Sequence, residues 1–139
     1  MSEANLWSDV RQFLSPFGFF HRVENKVDLG TPDVAYAIPG ASGWLELKHV
    51  DHWPFDARSK IIIRGFTKDQ VLWLEGWKNA GGRANLLLRV GDRFGTHVLM
   101  TPVVARAVYE RRYDRKEILD RCNWSEGFIP GRLVKWLSR

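Results

Sequence analysis

Two runs decide how this chain is read: Gly30-Thr31-Pro32-Asp33-Val34-Ala35-Tyr36-Ala37-Ile38 and, after Pro39-Gly40-Ala41-Ser42, Gly43-Trp44-Leu45-Glu46-Leu47-Lys48. Asp33 to Ile38 has the β-branched, aromatic and apolar character of a strand, and Trp44 to Lys48 reads as a second one. The intervening Pro39 to Gly43 is a loop of hairpin length. Side chains alternate along a strand, so Glu46 and Lys48 share one face while Leu45 and Leu47 point the other way, into a core. If the two strands pair as a hairpin, Asp33 comes near Glu46. Two carboxylates at close range repel unless a cation lies between them, and hard oxygen donors suit Mg²⁺ or Mn²⁺. Lys48 would then offset charge and help to orient an attacking water.

Upstream of this pair, Leu6, Val10, Phe13, Leu14 and Phe17 recur at helical spacing, and Ser15-Pro16-Phe17-Gly18 ends that helix. Phe19 to Val23 is a short apolar and aromatic segment. Downstream, Thr67 is a natural N-cap with Gln70 three residues later, and the helix runs to Asn79 before Ala80-Gly81-Gly82. Ala84 to Val90 and Thr96 to Thr101 read as strands around the Gly91-Asp92-Arg93 turn. From Pro102 the pattern is helical: Val103–Arg112, Arg115–Arg121 and Arg132–Leu137. The order predicts a mixed α/β fold around a central sheet, with a C-terminal helical tail.

The 139 residues, 45% of them hydrophobic and 27% charged, predict a single globular domain over 1–139 with a core at about 5–101 and a helical extension at 102–139. No repeat or low-complexity tract interrupts it. The lone Cys122 cannot staple the chain and reads as a structural thiol in a reducing cytosol. The N-terminus lacks the basic and apolar pattern of a signal peptide, and no apolar run spans a bilayer, so a cytoplasmic protein without membrane contact is expected. Residues 1–50 hold four Lys/Arg against six Asp/Glu, and the remainder seventeen against ten. A carboxylate cluster beside a basic surface suits an enzyme that holds metal and binds a polyanion.

Gly-Thr-Pro-Asp33 followed by Glu46-Leu47-Lys48 resembles the two halves of the motif of the PD-(D/E)XK nuclease superfamily. The gap between them fits a hairpin. Gln70 and the run Gln70-Val-Leu-Trp-Leu-Glu-Gly-Trp77 are similar to its Holliday-junction resolvase-like and VRR-NUC-like branches, and to small phage-type nucleases. The resemblance covers roughly residues 5–100. It implies a restriction-endonuclease-like core and hydrolysis of DNA phosphodiesters with Mg²⁺, which Mn²⁺ would replace. It implies that Asp33 and Glu46 ligate the metal, with the Leu47 carbonyl and Glu24 as further ligands. Lys48 would position the water, Gln70 would support it, and a homodimer is expected; no organic cofactor is implied. The alternatives are a site-specific or nonspecific DNase, or a non-catalytic nucleic-acid-binding subunit of a recombination or restriction complex.

Arg58, Lys60, Arg64 and Lys68 lie between the second strand and the Gln70 helix, where they would hold DNA phosphates. Trp53 and Phe55 on the same loop are candidates to stack on unpaired bases. Trp7, Trp73 and Trp136 are candidates for a dimer interface. His49 and His52 lack the spacing and companions of a zinc site, and His21 and His97 read as ordinary polar positions near strand ends.

Overall fold

A computed structural model describes residues 2–24 and 29–139. Helix α1 (Glu3–Leu14) starts at Ser2, whose side chain accepts the Asn5 amide proton, and ends in a 3-10 turn at Ser15–Phe17. Strands β1 (Phe19–Arg22), β2 (Val34–Ile38) and β3 (Ala41–Val50) follow. Next come helix α2 (Lys68–Asn79), strands β4 (Ala84–Val90) and β5 (Thr96–Met100), and helices α3 (Pro102–Tyr109) and α4 (Arg115–Arg121). Strand β6 (Trp124–Glu126) and helix α5 (Pro130–Leu137) complete the chain.

The six strands form one mixed sheet in sequence order, with β3 and β4 parallel and every other pair antiparallel. A parallel pair needs a crossover, and α2 supplies it. Two cores result, one on each face. Leu6, Val10 and Leu14 of α1 and Leu133 and Leu137 of α5 pack on Val34, Leu45, Leu47, Leu87 and Leu99. Val71 and Leu74 of α2 and Val104, Ala105 and Val108 of α3 pack with Ile61 and Ile63 on Leu86, Leu88 and Val98. β4 is buried along its whole length because both faces are covered. The α/β architecture expected from the sequence is therefore present, and no described helix is long and apolar enough to cross a membrane.

The C-terminal segment departs from a purely helical tail. Its Trp124–Glu126 stretch pairs with β5, Trp124 opposite Leu99, and α5 returns to cover the face that α1 leaves open. Three residues are too short to show a strand period, so only the free edge of β5 makes this a strand. The Phe19–Arg22 segment is likewise a strand because β2 offers it an edge. The capping box read at Thr67 and Gln70 is formed in both directions.

His97 corrects its reading as an ordinary polar position: it is fully buried, and its Nε2 accepts a hydrogen bond from Arg89 Nε at 2.7 Å. Arg89 in turn lies 2.7 Å from Asp9 of α1, so a charged group replaces apolar packing between α1 and the sheet. Burial first, then the Arg89 cation, push the His97 pKa down from 6.5 to about 4. The unfolded chain therefore binds the extra proton first. The contribution of neutral His97 to stability should be intact above pH 6.5 and decline as pH falls toward 4, by on the order of 3 kcal/mol at most. Denaturation midpoints measured across that range check it; a slope unchanged in His97→Gln would show that other groups carry it.

Candidate active site

In the β2–β3 hairpin Val34 pairs with Leu45, which brings the preceding residue, Asp33, level with Glu46. The approach is pinned by backbone: the Val23 amide donates to the Asp33 carbonyl at 2.7 Å, and Asp33 Oδ2 accepts the Leu47 amide proton at 2.8 Å. The turn before it is equally constrained. Gly30 has φ +92°, and a Cβ there would sit 2.4 Å from the Asp69 carbonyl oxygen in the first turn of α2. Only glycine meets both conditions without strain.

Glu46 is 1% exposed and Lys48 3%, so this ion pair along β3 is shut off from solvent. Lys48 Nζ lies 3.6 Å from Glu46 Oε1 and donates to the Gly65 carbonyl at 3.0 Å. Its ammonium also stands over the Phe66 ring, 5.8 Å from the centroid. Burial above all, then the charge of Asp33, push the Glu46 pKa up to about 9, while Lys48 opposes the shift. Glu46 Oε2 is buried without a hydrogen-bond partner. An ionised carboxylate oxygen left unpaired in a dry site costs free energy, which either a bound proton or a cation would relieve.

The sequence reading missed Glu3. From the first turn of α1 its Oε1 comes within 3.8 Å of Lys48 Nζ, and its charge also raises the Glu46 pKa. An acidic residue in a first turn is ordinary dipole pairing, so nothing local marked it out; the packing of α1 makes it a neighbour. Glu24 is exposed and, among the described residues, no hydrogen bond or ion pair joins it to Asp33, Glu46 or Lys48. The Gln70 side chain accepts the Thr67 amide proton at 3.0 Å, which engages it in the cap of α2.

Of the basic loop residues, Arg58, Lys60, Arg64 and Lys68 are all exposed. Lys60 is paired with Glu117 at 3.5 Å, and Arg64 lines a cleft with His49, Val50, Asp51 and Ile62. Trp53 is packed against the core with Arg115 over its ring, so it is not a free stacking platform. Phe55 is 96% exposed and stacks on His52. His49 Nε2 lies 3.0 Å from the Gly91 carbonyl, and no group of three or more His, Cys, Asp or Glu among the described residues could hold a metal on its own. Trp73 stacks on Trp77 and meets Trp44 edge-on, while Trp7 and Trp136 pack against the α1–α5 core. Burial raises the Cys122 thiol pKa, as suits a structural thiol.

No family model and no curated protein matches the chain. Among solved structures it is similar to Hjc, a Holliday junction resolvase from the archaeal hyperthermophile Archaeoglobus fulgidus. The TM-score is 0.51 at 13% identity, over 86% of this chain and 96% of that one. The shared architecture is the restriction-endonuclease-like α/β fold.

Proposed function

We propose that the protein is a divalent-metal-dependent nuclease acting on DNA. The observation that carries this reading is the buried Glu46–Lys48 pair with the half-buried Asp33 carboxylate beside it, Glu46 Oε2 lacking a hydrogen-bond partner. The fold it shares with a Holliday junction resolvase supports the same reading.

The donor set fits Mg²⁺, which takes one or two carboxylates and completes its shell with water and substrate phosphate. Asp33 and Glu46 would hold the ion, with the Leu47 carbonyl as a further donor and Glu3 or Glu24 as an outer acidic partner. When bound, the ion would polarise the phosphoryl group and acidify a water. The chain's own groups do the rest. Lys48 is held in place by the Gly65 carbonyl and both glutamates, a cation fixed where negative charge would build on phosphorus. The hydrogen bond from the Leu47 amide fixes the Asp33 carboxylate, so little reorganisation is needed during reaction. Arg58, Arg64 and Lys68 on the flanking loop would grip the backbone, and Gln70 at the head of α2 would support substrate or water. A homodimer acting in the cytosol on junction or branched DNA is the finer form of the proposal.

The test is a cleavage panel of paired duplex, nicked, flapped, single-stranded and four-way DNA, each with Mg²⁺, with Mn²⁺ and with chelator. Cutting that needs the metal and favours branched forms is expected. A protein that binds these DNAs yet cuts none with either metal would instead be a non-catalytic subunit.

A further inference from the structure

A second recess lies along the first turns of α1, on the sheet face of Leu87 and Arg89. That face is opposite to the face of Glu46 and Lys48, and Glu3 of the same helix reaches round to Lys48. The recess is a cleft of about 400 Å³, lined by Ser2, Asn5, Ser8 and Asp9 of the α1 end and by Arg89, Asp92, Arg93 and Phe94 of the β4–β5 turn. Its floor is built: Arg89 is 2% exposed, and its Nη2 meets Asp9 without making a directed hydrogen bond. Arg93, half exposed, pairs with Asp9 from above at 3.3 Å. Phe94 is 88% exposed, although its turn is held by hydrogen bonds. Asp92 Oδ1 accepts the Phe94 amide proton at 2.8 Å, the Asp92 carbonyl accepts that of Gly95, and the space at Gly95 admits no Cβ. A fixed turn that holds a bare phenyl ring over a polar recess gives up hydrophobic burial, which a flat ligand would restore.

Two links tie this cleft to the catalytic strand. His49, next to Lys48, contacts the Gly91 carbonyl at the start of the turn. Helix α1 sends Glu3 to Lys48 from the same first turn whose neighbours, Ser2 and Asn5, line the cleft. The charges of Asp9 and Asp92 balance those of Arg89 and Arg93, so the cleft is no phosphate trap. Hydroxyl and amide groups beside an aromatic ring suit an uncharged planar base whose phosphates are held elsewhere.

Resting on the nuclease reading, we infer that this cleft receives one unpaired nucleotide of the DNA next to the scissile phosphate, its base stacked on Phe94. The enzyme thereby selects strands with an unpaired base at the cut. The volume lies in the range of small-molecule pockets, and Phe94, 88% exposed, contributes little to either core among the described residues.

The experiment compares the intact protein with Phe94→Ala on two duplexes that differ by a single 2-aminopurine bulge, reading anisotropy, 2-aminopurine fluorescence and cleavage with Mg²⁺. Phe94→Ala should weaken binding and slow cleavage of the bulged duplex roughly 5- to 100-fold, the worth of one stacked base. The paired duplex should be cut at the parental rate. Equal effects on both duplexes, no preference for the bulge in the parent, or competition by free deoxynucleoside monophosphates without such a preference would overturn the subsite. If the parent cuts the paired duplex in any of these cases, the nuclease reading stands and only the subsite fails. A parent that cuts no DNA removes both.

Discussion

Glu46→Gln and Asp33→Asn should each lower metal-supported DNA cleavage by roughly 10³-fold or more while leaving the fold intact. Glu46 is buried beside Asp33 and Lys48 with its pKa pushed up to about 9, so in the metal-free protein near neutral pH the side chain is mostly protonated. Glutamine copies that neutral form in shape and polarity, and the metal-free melting temperature should change little. What is lost is the anion that a divalent ion requires. The parent should gain about 2.7 kcal/mol of stability at a metal concentration 100 times Kd, and the variant should gain almost none. Calorimetry with and without Mg²⁺ therefore reports on the site independently of DNA. Lys48→Met serves as the complement: it removes the cation but not the ligands, so metal stabilisation should survive while cleavage falls. Full cutting by both carboxylate variants would remove Asp33 and Glu46 from the chemistry.

The second large effect is on stability. Asp9→Ala should destabilise the protein by about 3–5 kcal/mol, because it leaves the Arg89 guanidinium under α1 with the His97 and Phe128 rings and the Arg93 cation but no counter-charge. The cost comes from leaving a buried charge unpaired rather than from any large net worth of the pair. The double change Asp9→Leu with Arg89→Met should therefore recover most of the loss, since apolar groups of similar volume avoid the desolvation penalty altogether. Urea midpoints of the single and double variants decide this. A single variant as stable as the parent would mean that water reaches Arg89 and that α1 is not sealed against the sheet.

Much of the fold could be read directly from local pattern. Thr67 and Gln70 specify a capping box whatever surrounds them. The alternation of Leu45, Glu46, Leu47 and Lys48 places polar and apolar groups on opposite faces of any strand, and the short loop after Ile38 favours the hairpin that brings Asp33 toward Glu46. These are short-range consequences of backbone geometry, so no partner elsewhere in the chain had to be known.

What was not legible involves residues far apart in sequence. Glu3 approaches Lys48, Asp9 meets Arg89, and Trp124 joins the sheet beside Leu99 only because helices and strands pack in one particular way. The same holds for His97, whose burial follows from α1 and the Phe128 region closing over it. The sequence by itself determined the main helices, strands β2 to β5, the cap of α2 and the polar face of β3. Tertiary packing decided which distant groups share a dry, low-dielectric space, and that desolvation, with Asp33 beside it, is what pushes the Glu46 pKa up to about 9.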